Sequence, residues 1–350
     1  MPALLTMLSM AAMSGAHSLQ GIADFFKSNQ KILVGLFGLK HGVPKYTGIR
    51  DFVGALDFES VNAAFLGWAR SAAPLEAGDF VAMDGKSLKS TVSNPTSGLQ
   101  DFVQVVSAFA HRTGAVVAQK RFRHKKTAEG DCVRELLGAF EGLGITLTLD
   151  ALHCQKKTVE RIVNTGNDYL IRVKGNQPKL LEYCQKTAQE QSPLSAHEEK
   201  GARSGRVELR QTSVFEACTS PTAQQWAGLA RVVRIRRSGT RGQKPFDETC
   251  FFISSLRRSD AAHFAHGTRG HWGIENRVHW VKDVVQNEDR SRIAFGSAAE
   301  NLSIFKSVAI SLFRINGFNS IASATRIFAN KVNELFDALA GNNLTIFRTD

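Results

Sequence analysis

Residues 269–292 read RGHWGIENRVHWVKDVVQNEDRSR, which places a carboxylate, two imidazoles and an ammonium at helical spacing. At about 100° per residue, His271, Glu275, His279 and Lys282 share one helix face. Trp272 lies at its edge, and Ile274, Val278 and Val281 form an apolar stripe beside it. Two further carboxylates close predicted strands: Asp84 after residues 80–83 and Asp150 after residues 145–149. Sites in open α/β sheets form at that end of the strands. If the two strands are parallel neighbours, Asp84 and Asp150 come within reach of one ion, and Glu275 on a packed helix completes the set. Hard oxygen ligands without soft partners select Mg2+ or Mn2+. An Asp before Gly also forms turns, so Asp84 alone has a structural reading. A helical zinc site through His271, Glu275 and His279 is disfavoured, because the spacing is not HExxH and no Cys or His partner set accompanies it.

The elements that must position these groups follow from periodicity. Residues 1–75 read as helices, with Leu4, Leu5, Leu8 and Ala12, then Ile22, Phe25 and Phe26, then Phe52, Leu56, Val61, Phe65 and Trp68 at helical intervals. From residue 79 the texture changes. Strands are predicted at 80–83, 102–110, 115–122, 145–149 and 169–173, and helices at 128–140 and 153–164. Asp84-Gly85 and Thr113-Gly114 read as turns. Three strands, helix, strand, helix, strand predicts a mixed α/β sheet with a parallel part. Residues 178–266 read as a β-rich insertion with strands at 207–217, 231–237 and 248–256, and a polar helix or loop at 182–199. The basic run RVVRIRRSGTRGQK lies there; alternation puts Arg234 and Arg236 on one face. Such a run is either a charge-protected edge strand or a phosphate-facing one, and the overall charge favours the second. Helices close the chain at about 297–315 and 321–339.

Composition narrows the class. The 350 residues are 43% hydrophobic and 22% charged, as in a globular protein of two or three domains. Lys and Arg number 44 against 32 Asp and Glu, a net charge of +12 that points to a polyanionic partner. Five scattered cysteines without a CxxC pair argue against a disulfide framework and for a cytoplasmic setting. The apolar N-terminus has no preceding Lys or Arg and continues into an amphipathic pattern, so it reads as a helix rather than a secretion signal.

Four segments then carry a resemblance: VAMDGKSLKST around Asp84, LTLDALHCQ around Asp150, DYLIRVKGNQPKL after it, and the stretch around Glu275. With the helical N-terminus ending in LDFESVNAAFLGWA, the chain resembles, over nearly its whole length, the DDE transposases of bacterial insertion sequences, in their H-repeat-associated group. The resemblance implies a ribonuclease-H-like catalytic core with a β-rich insertion, flanked by helical segments. The implied boundaries are a helical domain at 1–76, the first part of the core at 77–177, the basic insertion at 178–266, the Glu helix and end of the core at 267–318, and a helical tail at 319–350. Asp84, Asp150 and Glu275 become a catalytic triad that binds Mg2+, with Mn2+ as a substitute. Lys282 matches a Lys that follows the Glu in the wider superfamily, whereas Thr268 and His271 stand where that pattern has Tyr and Arg. Lys282, Lys86, Lys174, His271, Arg234, Arg236 and Arg241 are the expected DNA contacts. The implied chemistry is metal-dependent cleavage of double-stranded DNA at terminal inverted repeats, then strand transfer into target DNA, without a covalent protein–DNA intermediate. Two ends must be paired, which implies a homodimer on DNA in the bacterial cytoplasm, associated with the nucleoid. A decayed or domesticated DNA-binding protein and a ribonuclease-H-like nuclease are the rival readings. The first is disfavoured by the intact carboxylates and the second by the family-specific text around Glu275.

Overall fold

In the computed structural model, which describes residues 2–92, 102–123, 126–203, 206–242, 244–258 and 260–341, the chain begins with five helices, as its periodicity predicts. They are α1 (Pro2–Met13), α2 (Leu19–Ser28), α3 (Gln30–Phe37), α4 (Tyr46–Ala55) and α5 (Phe58–Ala72). Ser18 and Asp57 cap α2 and α5 by accepting hydrogen bonds from the Gly21 and Ser60 backbone N–H groups. Met7, Leu8, Met10 and Met13 of α1 are buried, so the apolar N-terminus is core. No helix among the described residues is long and apolar enough to cross a membrane.

The strands follow: β1 (Phe80–Leu88), β2 (Val103–Ala110) and β3 (Val116–Arg123), then helix α6 (Lys126–Leu136), β4 (Thr146–Leu149), α7 (Lys156–Asn164) and β5 (Asp168–Val173). After α8 (Pro178–Glu190) come β6 (Ser195–Arg203), β7 (Arg206–Glu216), β8 (Arg231–Arg241) and β9 (Lys244–Ser254). Helices α9 (Ala261–Ile274), α10 (Ala298–Ile315), α11 (Ile321–Phe328) and α12 (Val332–Leu339) end the described chain. Residues 342–350 of the expected tail lie outside the described residues.

All nine strands hydrogen-bond in the order β3-β2-β1-β4-β5-β9-β8-β7-β6. In its first five strands, β2 and β3 are antiparallel while β1, β4 and β5 are parallel. This is the mixed sheet with a parallel part that the element order predicts, in the arrangement of a ribonuclease-H-like core. Two expectations need correction. The turn at Asp84-Gly85 does not form, because β1 runs on to Leu88. The insertion has four strands rather than three, and it continues the main sheet through antiparallel pairing of β9 with β5. Its strand β6, SAHEEKGAR, lacks an apolar alternation and so reads as a polar helix or loop.

The chain divides into two compact units. One comprises Met1–Pro74, Gly85–Glu129 and Ile274–Asp350, and α10 is its axis, buried along nearly its whole length. Several polar side chains of α10 bond inside this unit. Asn301 Nδ2 donates to the Val53 and Leu56 carbonyls at 3.1 and 3.0 Å, and Ser307 Oγ donates to Gln119 Oε1 at 3.0 Å. The other unit comprises Leu75–Asp84 and Gly130–Gly273. Phe80, Leu170, Val214, Val233, Ile235, Ala261 and Phe264 form a core in it, joining the sheet to the start of α9. The chain passes from one unit to the other inside unbroken elements, within β1 at Asp84-Gly85 and within α9 at Gly273-Ile274.

Candidate active site

The parallel register of β1 and β4 sets the first two carboxylates. The pairs are Phe80 with Thr146, Val81 with Leu147, and Ala82 with Thr148. Asp84 and Asp150 each lie two residues beyond the last pair, so the two-residue repeat of a strand puts them on the face of Ala82 and Thr148. Asp150 directly follows β4, where its Oδ1 accepts from the Leu152 backbone N–H at 2.9 Å. The loop after it is pinned by the KGNQ motif. Asn176 Nδ2 donates to the Ala151 carbonyl at 2.7 Å and Gln177 Nε2 to the Cys154 carbonyl at 2.9 Å.

Helix α9 runs over the same sheet face. His271 Nδ1 and Thr148 Oγ1 share a hydrogen bond of 3.1 Å. Burial pushes the His271 imidazole down to about 4, the nearby Asp150 opposing this. Gly267 permits the close approach of helix to sheet: a Cβ there would stand 2.6 Å from the Phe80 ring and 3.0 Å from Leu170. Thr268 is buried and its hydroxyl donates to the Phe264 and Ala265 carbonyls.

Beyond Ile274 the helix widens into π turns, Glu275–His279 and Val281–Val285. Ile274, Val278 and Val281 are buried as the stripe predicts. The Glu275 carboxylate is 56% exposed and meets the buried His279 Nδ1 at 3.2 Å. That hydrogen bond, helped by Lys86, holds the Glu275 carboxyl below its usual range. Asp84 and Asp150 lie together in one unit, at matching offsets on neighbouring strands, while Glu275 and His279 lie in the other. His279 lies on the predicted helix face, but a four-residue step from Glu275 fits any helix and singles out no ligand.

The expected DNA contacts fall into two sets. Lys282 is buried, with Nζ 3.0 Å from Ser303 Oγ, and burial lowers its ammonium to about 8. Lys86 is nearly buried and its Nζ lies 2.5 Å from Asp283, 3.4 Å from Glu288 and 3.5 Å from Asp289. Neither ammonium therefore stands free at the surface. Lys174, just after β5, and Arg236 of the insertion are exposed and Arg234 is partly buried; with Arg172 they line a cavity of about 1040 Å3. Arg234 lies over the Phe215 ring, Arg236 pairs with Asp247, and the exposed Arg241, outside that cavity's lining, pairs with Glu248. All five cysteines are free.

Two carboxylates at matching offsets on adjacent parallel strands, Asp84 and Asp150, suit a divalent cation, which removes the repulsion between the acids. Comparison with known proteins agrees in class. The transposase DDE domain family is matched over residues 77–312, and the family described as DDE_Tnp_1-associated over residues 1–69. The chain is 31% identical to YbfL and 30% identical to the H repeat-associated putative transposase YhhI, both of Escherichia coli (strain K12). Each of these alignments covers 86% of this chain and 82% of the relative. A weaker likeness, with a TM-score of 0.46 and 10% identity, spans 99% of this chain and 74% of the piggyBac transposase in a synaptic complex with hairpin DNA.

Proposed function

The chain belongs to the transposase DDE domain family, and from that premise we propose that Asp84, Asp150 and Glu275 hold the divalent ions, Mg2+ or Mn2+, with which it cuts DNA at the ends of its element and joins them to target DNA. The observation that carries this reading is the equal offset of Asp84 and Asp150 beyond paired parallel strands. Bound divalent ions supply Lewis acidity to a phosphate oxygen and a lowered pKa to a bound water or hydroxyl. The chain's own residues supply placement. Glu275 is kept ionised by His279, and Asp150 is fixed by the Leu152 N–H. No Ser or Tyr nucleophile is called for.

Lys174 after β5 and Arg234, Arg236 and Arg241 of the insertion are the DNA contacts we assign, and they give affinity and salt dependence without base readout. His271 is neutral at working pH and offers a hydrogen bond in place of a charge. Pairing of two ends makes the working form a homodimer on DNA.

The test uses the purified protein with the repeats that flank its gene, in Mg2+, Mn2+ or chelator. Glu275→Gln keeps size and helix propensity while removing the ligating charge. It should fold and bind ends, yet lose nicking and strand transfer together by at least about a thousandfold. Asp84→Asn and Asp150→Asn should match it, and combining them should add little. Undiminished cutting in chelator, or by folded Glu275→Gln, would sink the assignment, and end binding without cutting in any metal would favour the decayed-element reading.

A further inference from the structure

Lys86 lies two residues beyond Asp84 on the same strand, and its ammonium points into carboxylates that follow Glu275 on the other element of the site. The contacts are Asp283 at 2.5 Å, Glu288 at 3.4 Å and Asp289 at 3.5 Å. Glu288 is nearly buried and also faces Lys306 Nζ at 3.5 Å, while its backbone N–H donates to the Lys282 carbonyl at 2.8 Å. Lys282 is itself held by Ser303 Oγ. Three ammoniums, Lys86, Lys282 and Lys306, thus meet three carboxylates, Asp283, Glu288 and Asp289, and Lys89 pairs with Asp289 at the exposed rim. Asn287 adopts the left-handed region (φ 50°), which turns the chain sharply enough to present Glu288 inward. A phosphate contact needs a spare positive charge. Inside this cluster the charges are matched, and Lys86 is buried rather than offered to solvent.

The geometry points to Lys86 as a positioning residue for the metal ligands: its ion pairs tie the end of β1, just after Asp84, to the segment that follows Glu275. This rests on the metal-binding reading above. Groups that orient metal ligands affect metal affinity by about 10–100-fold when removed. Lys86 would act in that way on two ligands at once, through the backbone of β1 and through the π-helical turns after Glu275.

The experiment measures Mn2+ binding to the full-length protein by the loss of the free-ion paramagnetic resonance signal, and DNA binding by anisotropy across a salt series. The variants are Lys86→Gln, Lys86→Arg and Asp283→Asn. The last removes the nearest partner at a side chain that is 28% exposed, so it keeps the test open if Lys86→Gln does not fold. Expected are about tenfold weaker Mn2+ binding in Lys86→Gln and Asp283→Asn, recovery to within about threefold in Lys86→Arg, and an unchanged salt slope in all three. Folded Lys86→Gln or Asp283→Asn that binds Mn2+ like the wild type overturns the inference. So does a salt slope lower by about 0.9 in Lys86→Gln, which marks a lost phosphate contact. A wild-type protein that binds no Mn2+ overturns the metal-site reading and this inference with it, whereas wild-type binding unaffected by Glu275→Gln overturns the assignment of Glu275 and the action of Lys86 on two ligands.

Discussion

His271 stands where the wider superfamily pattern has Arg, and its imidazole, pushed down to about 4 by burial, carries no charge at working pH. Nuclear magnetic resonance titration of that ring should give a midpoint near 4; a midpoint near the free value would mean that the ring is open to water in solution. The unfolded chain protonates this ring at about 6.5. The stability it contributes is therefore present above that pH and lost as pH falls toward 4. Glu288 acts in the same sense for a different reason: burial pushes its carboxyl up, but Lys306, Lys282 and Lys86 outweigh burial and hold it at about 2. Its contribution is present above about 4.5 and fades as pH falls through the folded value. Glu288→Gln should lower stability at pH 7 by on the order of 3 kcal/mol, with the gap to wild type closing toward pH 2 in urea titrations. A gap that stays constant with pH would assign the loss to packing. At this scale the equal placement of Asp84 and Asp150 at the ends of neighbouring strands was legible from residue type and position. The burial of Lys86 and Lys282 was not, because their acidic partners lie in a loop whose path depends on a left-handed Asn287.

Helix α9 is seated by a missing side chain. Gly267 faces Phe80 and Leu170 at distances no Cβ tolerates, so Gly267→Val should lift the helix from β1 and β5. The cost should be about 1–3 kcal/mol, read as a lower thermal midpoint, together with exposure of the His271 ring to water, read as a higher His271 titration midpoint. A lower midpoint with an unchanged His271 titration would place the strain elsewhere. The order of strands and helices was readable, as was the start of β4 before Asp150, because apolar runs and Gly turns mark them. The length of β1 was not, since Asp-Gly is turn chemistry that tertiary pairing overrides. Nor were the π turns after Ile274, whose wider repeat leaves no mark in a 3.6-residue pattern.

Across the whole molecule, a charge of +12 suggests a polyanion but does not say which cations meet it. Pairing inside the insertion ranks them. Asp247 already opposes Arg236 and Glu248 opposes Arg241, whereas Lys174 is exposed at the cavity wall. Lys174→Ala should flatten the log–log salt dependence of DNA binding by about 0.9, and Arg236→Ala by clearly less. Equal effects would mean that Asp247 releases Arg236 when DNA binds.

The join of β9 to β5 has a consequence for how the chain is made. During synthesis β5 leaves the ribosome long before residues 251–254 arrive to cover it. Until then Leu170 and Ile171 sit on an open strand edge, a template for pairing with the wrong chain. A fragment stopped at residue 177 should therefore aggregate through that edge, as light scattering of the translated product beside the full chain would reveal. Chains cut short by a frameshift in this region would then be lost to aggregation before they acquire Glu275.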